Sequence, residues 1–124
     1  MALLRIDHLE SGAVLGIWHI EETVSDMLTM MPSLGSLQHV LDSYSRDARR
    51  LEVLSVHALI RIMTGDDHLV VSHNEDGRPF VDGWHISVSH TRGYAAVILS
   101  GQHDVAVDIE YVSNRVAKIA GRFI

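Results

Sequence analysis

Cysteine is absent from this 124-residue chain, so neither a disulfide framework nor a thiolate metal site is possible. Basic residues are also scarce. Ten lysines and arginines stand against 16 acidic residues, and the resulting net charge of -6 argues against a nonspecific nucleic-acid binder. No apolar run approaches the roughly 20 residues needed to cross a bilayer, so no membrane association is expected. Any recognition of phosphate must therefore be local.

Proline is rare as well, with only Pro32 and Pro79, and no repeat, linker or low-complexity tract divides the sequence. With 47% hydrophobic residues, the chain is predicted to form a single domain over residues 1–124. Residues 1–7 mix apolar side chains with Arg5 and Asp7, and no small-residue cleavage pattern follows them. A secretory signal is therefore not predicted, and a cytoplasmic location is expected.

A long amphipathic helix is the clearest local prediction. It is expected over residues 45–63, with Ser45 as its N-cap and Gly65 as its C-terminal stop. Basic residues spaced by four, seven and four form a stripe along this helix, comprising Arg46, Arg50, His57 and Arg61. The stripe is either an ordinary solvated face or a binding surface in an otherwise acidic protein.

Shorter elements are predicted on both sides of this helix. Before it, the pattern favours a strand over 13–20 and a short helix from about 21 to 30, and it leaves 31–44 ambiguous. After it, alternating residues predict the strands 69–72, 84–90, 94–99 and 105–111, the last three as an antiparallel meander. A final helix is predicted from 113 or 114 to the last residue. The fold class is thus α+β, one long helix packed on a small antiparallel β-sheet.

Two carboxylates lie on the last of these predicted strands. Asp108 and Glu110 are two residues apart, so their side chains leave the same face while Val107 and Ile109 point to the other. Such a pair can form part of the shell of a hard divalent cation such as Mg²⁺, which combines one or two carboxylates with water and substrate phosphates. The alternative is a solvated pair on an edge strand.

Candidate ligand-binding residues lie at two predicted turns. Ser89 and His90 end a strand just before the turn at 91–93, where side chains can meet a ligand oxygen, and His90 beside Arg92 is suited to phosphate. The histidine is equally explained by a hydrogen bond to a turn carbonyl. Arg78 lies between Gly77 and a proline and is equally explained as a solvated turn residue.

Four motifs occur in one order along the chain: Gly-Arg-Pro-Phe (77–80), Ile-Ser-Val-Ser-His-Thr (86–91), Gly-Tyr-Ala-Ala-Val (93–97) and Val-Ala-Val-Asp-Ile-Glu (105–110). This order resembles the 4'-phosphopantetheinyl transferase superfamily, and it is most similar to the two-halved, surfactin-synthetase-activating type. In that family Gly-Lys-Pro, a strand ending in Ser-His and Gly-(Val/Ile)-Asp-(Ile/Val)-Glu follow at similar intervals. The resemblance covers residues 45–124 well and residues 1–44 weakly.

The resemblance implies transfer of 4'-phosphopantetheine from coenzyme A to a serine of an acyl or peptidyl carrier protein. It implies that Asp108 and Glu110 are the catalytic carboxylates and hold Mg²⁺ against the pyrophosphate of coenzyme A. It further implies that Ser89 and His90 contact the nucleotide end of coenzyme A, with His90 facing a phosphate.

The resemblance also assigns arginines to the coenzyme A site. Arg78 stands where the family usually has lysine, which keeps the charge but replaces a point charge with a planar fork. Arg50 is a candidate for the 3'-phosphate, ahead of Arg49. The family often has arginine where this chain has His57.

This chain departs from the family pattern in two places. Ala106 replaces the usual glycine before the Asp-x-Glu strand core, and the family's Trp-x-x-Lys-Glu-(Ala/Ser)-x-x-Lys motif does not occur before Ile124. That motif supplies a further metal-binding carboxylate and a lysine. The short homotrimeric carrier-protein synthase has its metal aspartate near the N-terminus and does not fit. The chain is therefore expected to be the N-terminal half of the pseudo-twofold fold, to turn over little alone, and to pair with a second copy or a C-terminal half.

Two other functions remain open from the residues alone. One is a noncatalytic module that binds coenzyme A or a carrier protein through Ser89, His90 and the basic stripe. The other is a small metal-dependent hydrolase that uses Asp108, Glu110 and a histidine such as His103. The hydrolase hypothesis predicts histidine ligands and metal binding without coenzyme A, whereas the transferase hypothesis predicts oxygen ligands only.

Overall fold

The structure, a computed structural model, describes the backbone of residues 3–111 and 117–123 and the side chains of residues 5–109. It has an α+β fold, as predicted, and none of its described helices is long and apolar enough to cross a membrane. The helices are α1 Val24–Met30, a 3₁₀ helix Pro32–Leu37, α2 Gln38–Leu41 and α3 Asp47–Thr64. The strands are β1 Leu3–His8, β2 Val14–His19, β3 Ser72–His73, β4 Pro79–Phe80, β5 His85–Thr91, β6 Tyr94–Ser100, β7 Val105–Tyr111 and β8 Ala117–Phe123.

Four strands form an antiparallel sheet in the order β1-β2-β6-β5. The hairpin β5–β6 turns through Gly93, whose φ of 80° is the left-handed conformation that glycine adopts without strain. β6 therefore has β5 on one side and β2 on the other, and β5 is an edge strand among the described residues. Two further antiparallel pairs, β3–β4 and β7–β8, lie outside this sheet.

The long helix α3 ends as the sequence predicts but begins differently. Gly65 closes it in the left-handed conformation, with a φ of 74° and its N–H donating to Arg61 O. The prediction that Ser45 is the N-cap is wrong, because Arg46 occupies that position and provides no side-chain hydrogen bond. Asp47 in the first turn favourably meets the helix dipole.

Short helices between residues 24 and 41, a region that the sequence leaves partly ambiguous, lie beside α3. α1 begins with a capping box: Asp26 N–H donates to Thr23 Oγ1 at 3.1 Å, and Thr23 N–H donates to Asp26 Oδ2 at 3.1 Å. The 3₁₀ helix follows with Pro32 in its first turn. These short helices bury Met27, Leu34, Leu37 and Leu41 against α3 and the sheet.

Both faces of the four-stranded sheet are covered. On one face Ala95, Val97 and Leu99 of β6 pack in the core that contains α3. On the other face Tyr94, Ala96 and Ile98 pack with three apolar residues of β7, which are Val105, Val107 and Ile109. This alternation follows from the period of two along a strand. The sheet thus lies between α3 and β7.

Two predictions for the C-terminal part are wrong. β7 is not the third strand of a meander, because β2 already pairs with the free side of β6, and β7 instead packs on the second face of the sheet. Residues 117–123 form the strand β8, not a helix, and they pair antiparallel with β7 from Val105↔Phe123 to Tyr111↔Ala117. The physical reason is that a strand placed outside the sheet still needs a ladder partner for its backbone groups.

Candidate functional site

A cavity of about 270 Å³ opens between α3, the β3–β4 pair and β5. Five valines and Pro79 form its apolar walls. Its polar lining comes from five side chains: Tyr44, Arg49, His57, His73 and His90. The volume is slightly below the roughly 300–1,000 Å³ of typical ligand sites, so the cavity has room for one ring system but not for a whole large cofactor.

Three charged or titratable side chains meet at one edge of this cavity. Glu52 Oε2 of α3 lies 3.6 Å from Nδ1 of His90 and 3.6 Å from Nη1 of Arg49. The Arg49 guanidinium also lies over the ring of Tyr44, 5.3 Å from the ring centroid. Because Arg49 and Glu52 are three residues apart on a helix, they share a face that is directed toward β5. Glu52 therefore holds both a cation and the imidazole at the same opening.

His90 is unusual because one of its ring nitrogens is buried without a partner. Its Nε2 has no hydrogen bond to any described residue, although 27% of its side chain is accessible. Burial lowers the pKa of His90, the Glu52 carboxylate opposes this by raising it, and Arg49 lowers it. An anion bound at Nε2 would supply the missing partner and favour the protonated ring.

A second opening lies beside Glu52 and His90. It is a cavity of about 400 Å³, and Glu52, His90 and Tyr94 contribute to its wall together with the β5–β6 turn, residues 91–93. His90 lines both cavities, so the two openings share this side chain. A ligand bound in either opening would contact His90.

His57 also lines the first cavity, but both of its ring nitrogens are used by the backbone. Nδ1 is 2.8 Å from Val53 O and Nε2 is 3.1 Å from the N–H of Val71, so the neutral tautomer with hydrogen on Nδ1 satisfies both contacts. Burial is the main cause that lowers the pKa of His57, against the hydrogen bond to Val53. His57 therefore fastens the chain at Val71 to α3.

Two arginines of the predicted basic stripe, Arg50 and Arg61, bind main-chain carbonyls. Arg61 is 1% exposed, and its guanidinium donates to Leu69 O at 3.0 Å and to Ser33 O at 2.9 Å. Arg50 donates through Nε to Leu41 O at 3.0 Å and through Nη1 to Asp47 Oδ1 at 3.3 Å. The stripe is consequently not one solvated face, since its C-terminal part is buried.

On the opposite side of β5, the side chain of Ser89 meets β7. Its hydroxyl accepts the N–H of Ile109 at 3.1 Å and donates to Asp108 Oδ1 at 3.4 Å. Asp108 is exposed, whereas Ile109 beside it is buried, as the alternating pattern predicts. The structure thus brings Ser89 and Asp108 together. The side chain of Glu110 lies outside the described residues, so its place beside Asp108 stays a prediction.

Two other predicted residues lie in turns. Arg78 is exposed, and its N–H donates to Asn74 Oδ1 at 3.0 Å in the turn that joins β3 to β4. Its neighbour Pro79 lines the first cavity, which places Arg78 next to the rim. His103 is exposed, and its backbone N–H donates to Ser100 Oγ at 3.0 Å. Within the described part of the chain, no group of three or more His, Asp or Glu side chains is placed to hold a metal ion.

The sequence reasoning missed much of the cavity. Tyr44, Glu52 and His73 are absent from the predicted site, and the resemblance favours Arg50 over Arg49. The i, i+3 spacing of Arg49 and Glu52 on the predicted long helix is a usable signal. The contributions of Tyr44 and His73 depend on how the segments before and after α3 return to it, and no local pattern encodes that. Comparison with models of known families, with curated proteins and with solved structures found no match to this chain.

Proposed function

We propose that this chain binds coenzyme A and Mg²⁺ as one half of a 4'-phosphopantetheinyl transferase, which modifies a serine of an acyl or peptidyl carrier protein. One observation carries the proposal. Ser89 and His90 are consecutive residues of the edge strand β5, yet they serve opposite sides of it: His90 contacts Glu52 of α3, and Ser89 contacts Asp108 of β7. The two polar sites are therefore neighbours around one strand edge.

An extended ligand with anionic groups suits this arrangement better than a compact one. A ring in the 270 Å³ cavity would have apolar walls, with Arg49 and His90 at the opening for a phosphate. A pyrophosphate that continued around the edge of β5 would reach the side of the strand that carries Ser89 and Asp108. Coenzyme A combines an adenine ring, a 3'-phosphate and a pyrophosphate in one molecule, and the order of the sequence motifs points to the same ligand.

The reaction is a phosphoryl-type transfer. The carrier serine Oγ forms a bond to the β-phosphorus of coenzyme A, the pyrophosphate P–O bond breaks, 3',5'-ADP leaves, and the serine proton passes to a base. Within this chain, Arg49 and His90 would bind and orient the nucleotide phosphates, and Arg78 would add charge at the cavity rim. Holding the two phosphates in line for attack accounts for much of the barrier reduction in such transfers. Arg50, which the resemblance assigns to the 3'-phosphate, already donates to Leu41 O and Asp47 Oδ1, so we give the larger part to Arg49.

The oxygen donors beside β5 fit Mg²⁺. The described ligand is the exposed Asp108 carboxylate, whose Oδ1 accepts a hydrogen bond from the Ser89 hydroxyl, and hard cations prefer oxygen ligands of this kind. Asp108 would hold the ion, together with Glu110. When bound, Mg²⁺ neutralises charge on the pyrophosphate and on the leaving nucleotide.

The fold is compatible with one of the two pseudo-equivalent halves of this transferase family, with the long helix α3 packed on an antiparallel sheet. In that family the site lies between halves. We therefore propose a second half, either a C-terminal domain or another copy of this chain, as the partner that completes it and accepts the carrier protein in the cytoplasm.

Calorimetric titration with coenzyme A, with and without Mg²⁺, tests this function. We expect Mg²⁺ to strengthen binding in the native chain and to have little effect in Asp108→Ala, because that variant loses a carboxylate ligand. Asp82→Ala removes an exposed carboxylate from the turn before β5 and serves as the matched control. The proposal fails if coenzyme A does not bind, or if Mg²⁺ strengthens its binding equally in all three proteins. Metal binding that needs histidine and is indifferent to coenzyme A would support the hydrolase alternative.

A further inference from the structure

Serine hydroxyls replace the usual backbone ladder where β5 runs beside β7. Ser87 Oγ accepts the N–H of Val107 at 3.1 Å, and Ser89 Oγ accepts the N–H of Ile109 at 3.1 Å. The two serines are two residues apart on β5, and the two N–H donors are two residues apart on β7, so the contacts repeat with the strand period. Together they fix the register of β7 against the sheet.

The two serines differ in what their hydroxyl hydrogen does. Ser89 donates it to Asp108 Oδ1 at 3.4 Å. The Ser89 hydroxyl therefore accepts a hydrogen bond from the backbone N–H of Ile109 and donates one to the carboxylate of Asp108. Ser87 makes no such carboxylate contact among the described residues, because the residue before Val107 on β7 is Ala106 and has no polar side chain. Ser87 and Ser89 thus make the same contact with the backbone of β7, but only Ser89 also contacts a carboxylate among the described residues.

An exposed aspartate on a strand has several rotamers open to it. A hydroxyl that is itself anchored by a backbone N–H restricts that choice, because the donor cannot follow the carboxylate as it rotates. Contacts of this kind to metal-ligating carboxylates typically change metal affinity by about 10- to 100-fold when they are removed.

We propose that Ser89 is a positioning residue for Asp108: it selects the carboxylate rotamer in which Oδ1 faces the edge of β5, and so presets the Mg²⁺ ligand. This rests on the proposed function, because Asp108 is there a metal ligand. It assigns to Ser89 a role within the protein, in addition to any contact with the nucleotide.

The test compares Ser89→Ala with Ser87→Ala, a control matched in strand, chemistry and backbone contact. Both variants leave one β7 N–H without its hydroxyl acceptor, so we expect similar decreases in thermal stability. The first readout is the Hα–Hβ coupling of Asp108 in metal-free protein, measured by NMR. We expect one dominant rotamer in the native chain and in Ser87→Ala, and averaged couplings in Ser89→Ala.

The second readout is Mg²⁺ titration of the same proteins. We expect Ser89→Ala to weaken Mg²⁺ binding by about 10-fold, Ser87→Ala to change it less than about twofold, and Ser89→Thr, which keeps the hydroxyl, to restore most of the affinity. Asp108→Ala marks the full loss. If Ser89→Ala does not fold, the Asp108 couplings and Mg²⁺ affinities of Ser89→Thr and Ser89→Cys test the proposal instead. We expect only Ser89→Thr to keep the native couplings and affinity, because a hydroxyl is a stronger hydrogen-bond donor than a thiol.

The outcomes separate the two proposals. The positioning role is overturned if the Asp108 couplings are unchanged in Ser89→Ala. It is also overturned if Ser89→Ala and Ser87→Ala bind Mg²⁺ equally well while Asp108→Ala does not bind it. Both outcomes leave the proposed function intact. If the native chain does not bind Mg²⁺ even with coenzyme A present, the proposed function is overturned, whereas the coupling measurement still reports whether Ser89 fixes the carboxylate.

Discussion

The two halves of α3 carry the same kinds of residue and use them differently. In the C-terminal half, the side chains of His57 and Arg61 are buried and hydrogen-bonded to main-chain atoms of the segments that cross the helix. In the N-terminal half, Arg50 also donates to the carbonyl of Leu41, but Arg49 and Glu52 are partly exposed, and their side-chain contacts within the described residues are with Tyr44, His90 and each other. Basic residues therefore stabilise the fold where their N–H groups donate to backbone carbonyls. They remain available for a ligand where they contact only partly exposed side chains.

The largest effect on stability is expected at Arg61. Arg61→Met keeps much of the volume but removes the hydrogen bonds that the buried guanidinium donates to the carbonyls of Leu69 and Ser33. Each hydrogen bond to a charged group contributes about 1.5–3 kcal/mol, so we expect the free energy of unfolding to fall by about 3 kcal/mol. Urea denaturation measures it.

The matched control is Arg49→Met on the same helix. The Arg49 side chain is 45% exposed, so we expect less than about 1 kcal/mol of lost stability. Equal losses in the two variants would mean that the halves of α3 do not differ as described.

A smaller, pH-dependent effect is expected at His57. Its pKa in the folded chain lies below the unfolded value of about 6.5, so the unfolded state binds the proton more readily. The contribution of His57 to the free energy of unfolding is therefore complete above about pH 6.5. It falls as the pH is lowered toward the pKa of the folded chain, by at most about 1.4 kcal/mol per pH unit. His90, whose pKa is also lowered, contributes with the same sign.

Unfolding free energies at pH 7.5, 6 and 5 test this effect. We expect His57→Gln to be less stable at pH 7.5, because two backbone contacts are disturbed, but to lose less stability on acidification. His39→Asn, at an exposed position on α2, should keep the pH dependence of the native chain. A His57→Gln variant with the full acid dependence would contradict the assignment.

How far the sequence predicts this molecule depends on the range of the interactions. α3 and its end at Gly65 were predictable, because helical periodicity and a left-handed glycine are local signals. The placement of β7 was not, because the free side of β6 is taken by β2, from a distant part of the chain. The helix predicted from 113 or 114 to the last residue is wrong over 117–123 for the same reason, since it is the pairing with β7 that makes this segment a strand.

The candidate site divides in the same way. The face of Asp108 followed from strand alternation, and the motif order placed Ser89 and His90 on adjacent positions of β5. That Glu52 joins His90, and that Arg50 instead contacts the carbonyl of Leu41, depends on the approach of the helix to other segments. Tertiary contacts of this kind have no sequence period.

The smallest expected effect distinguishes adjacent arginines on α3. Arg49→Met should weaken coenzyme A binding by about 10- to 100-fold, because a phosphate contact with a guanidinium contributes roughly 1.5–3 kcal/mol. Arg50→Met should weaken it about threefold or less, because its guanidinium already contacts Leu41 O and Asp47. Calorimetry gives both affinities, and a larger loss in Arg50→Met would instead favour Arg50 as the 3'-phosphate contact.

The most direct test of the account is to map coenzyme A on the native chain by backbone amide chemical shifts, with Mg²⁺ present. We expect the largest changes on the N-terminal half of α3 around Arg49 and Glu52, on His73, on Ser89 and His90 of β5, and on Asp108 of β7. Residues around Arg61 should not change. Changes confined to the C-terminal half of α3, or to the α3 side of β5 without Asp108, would contradict a coenzyme A and Mg²⁺ site that passes around this strand edge.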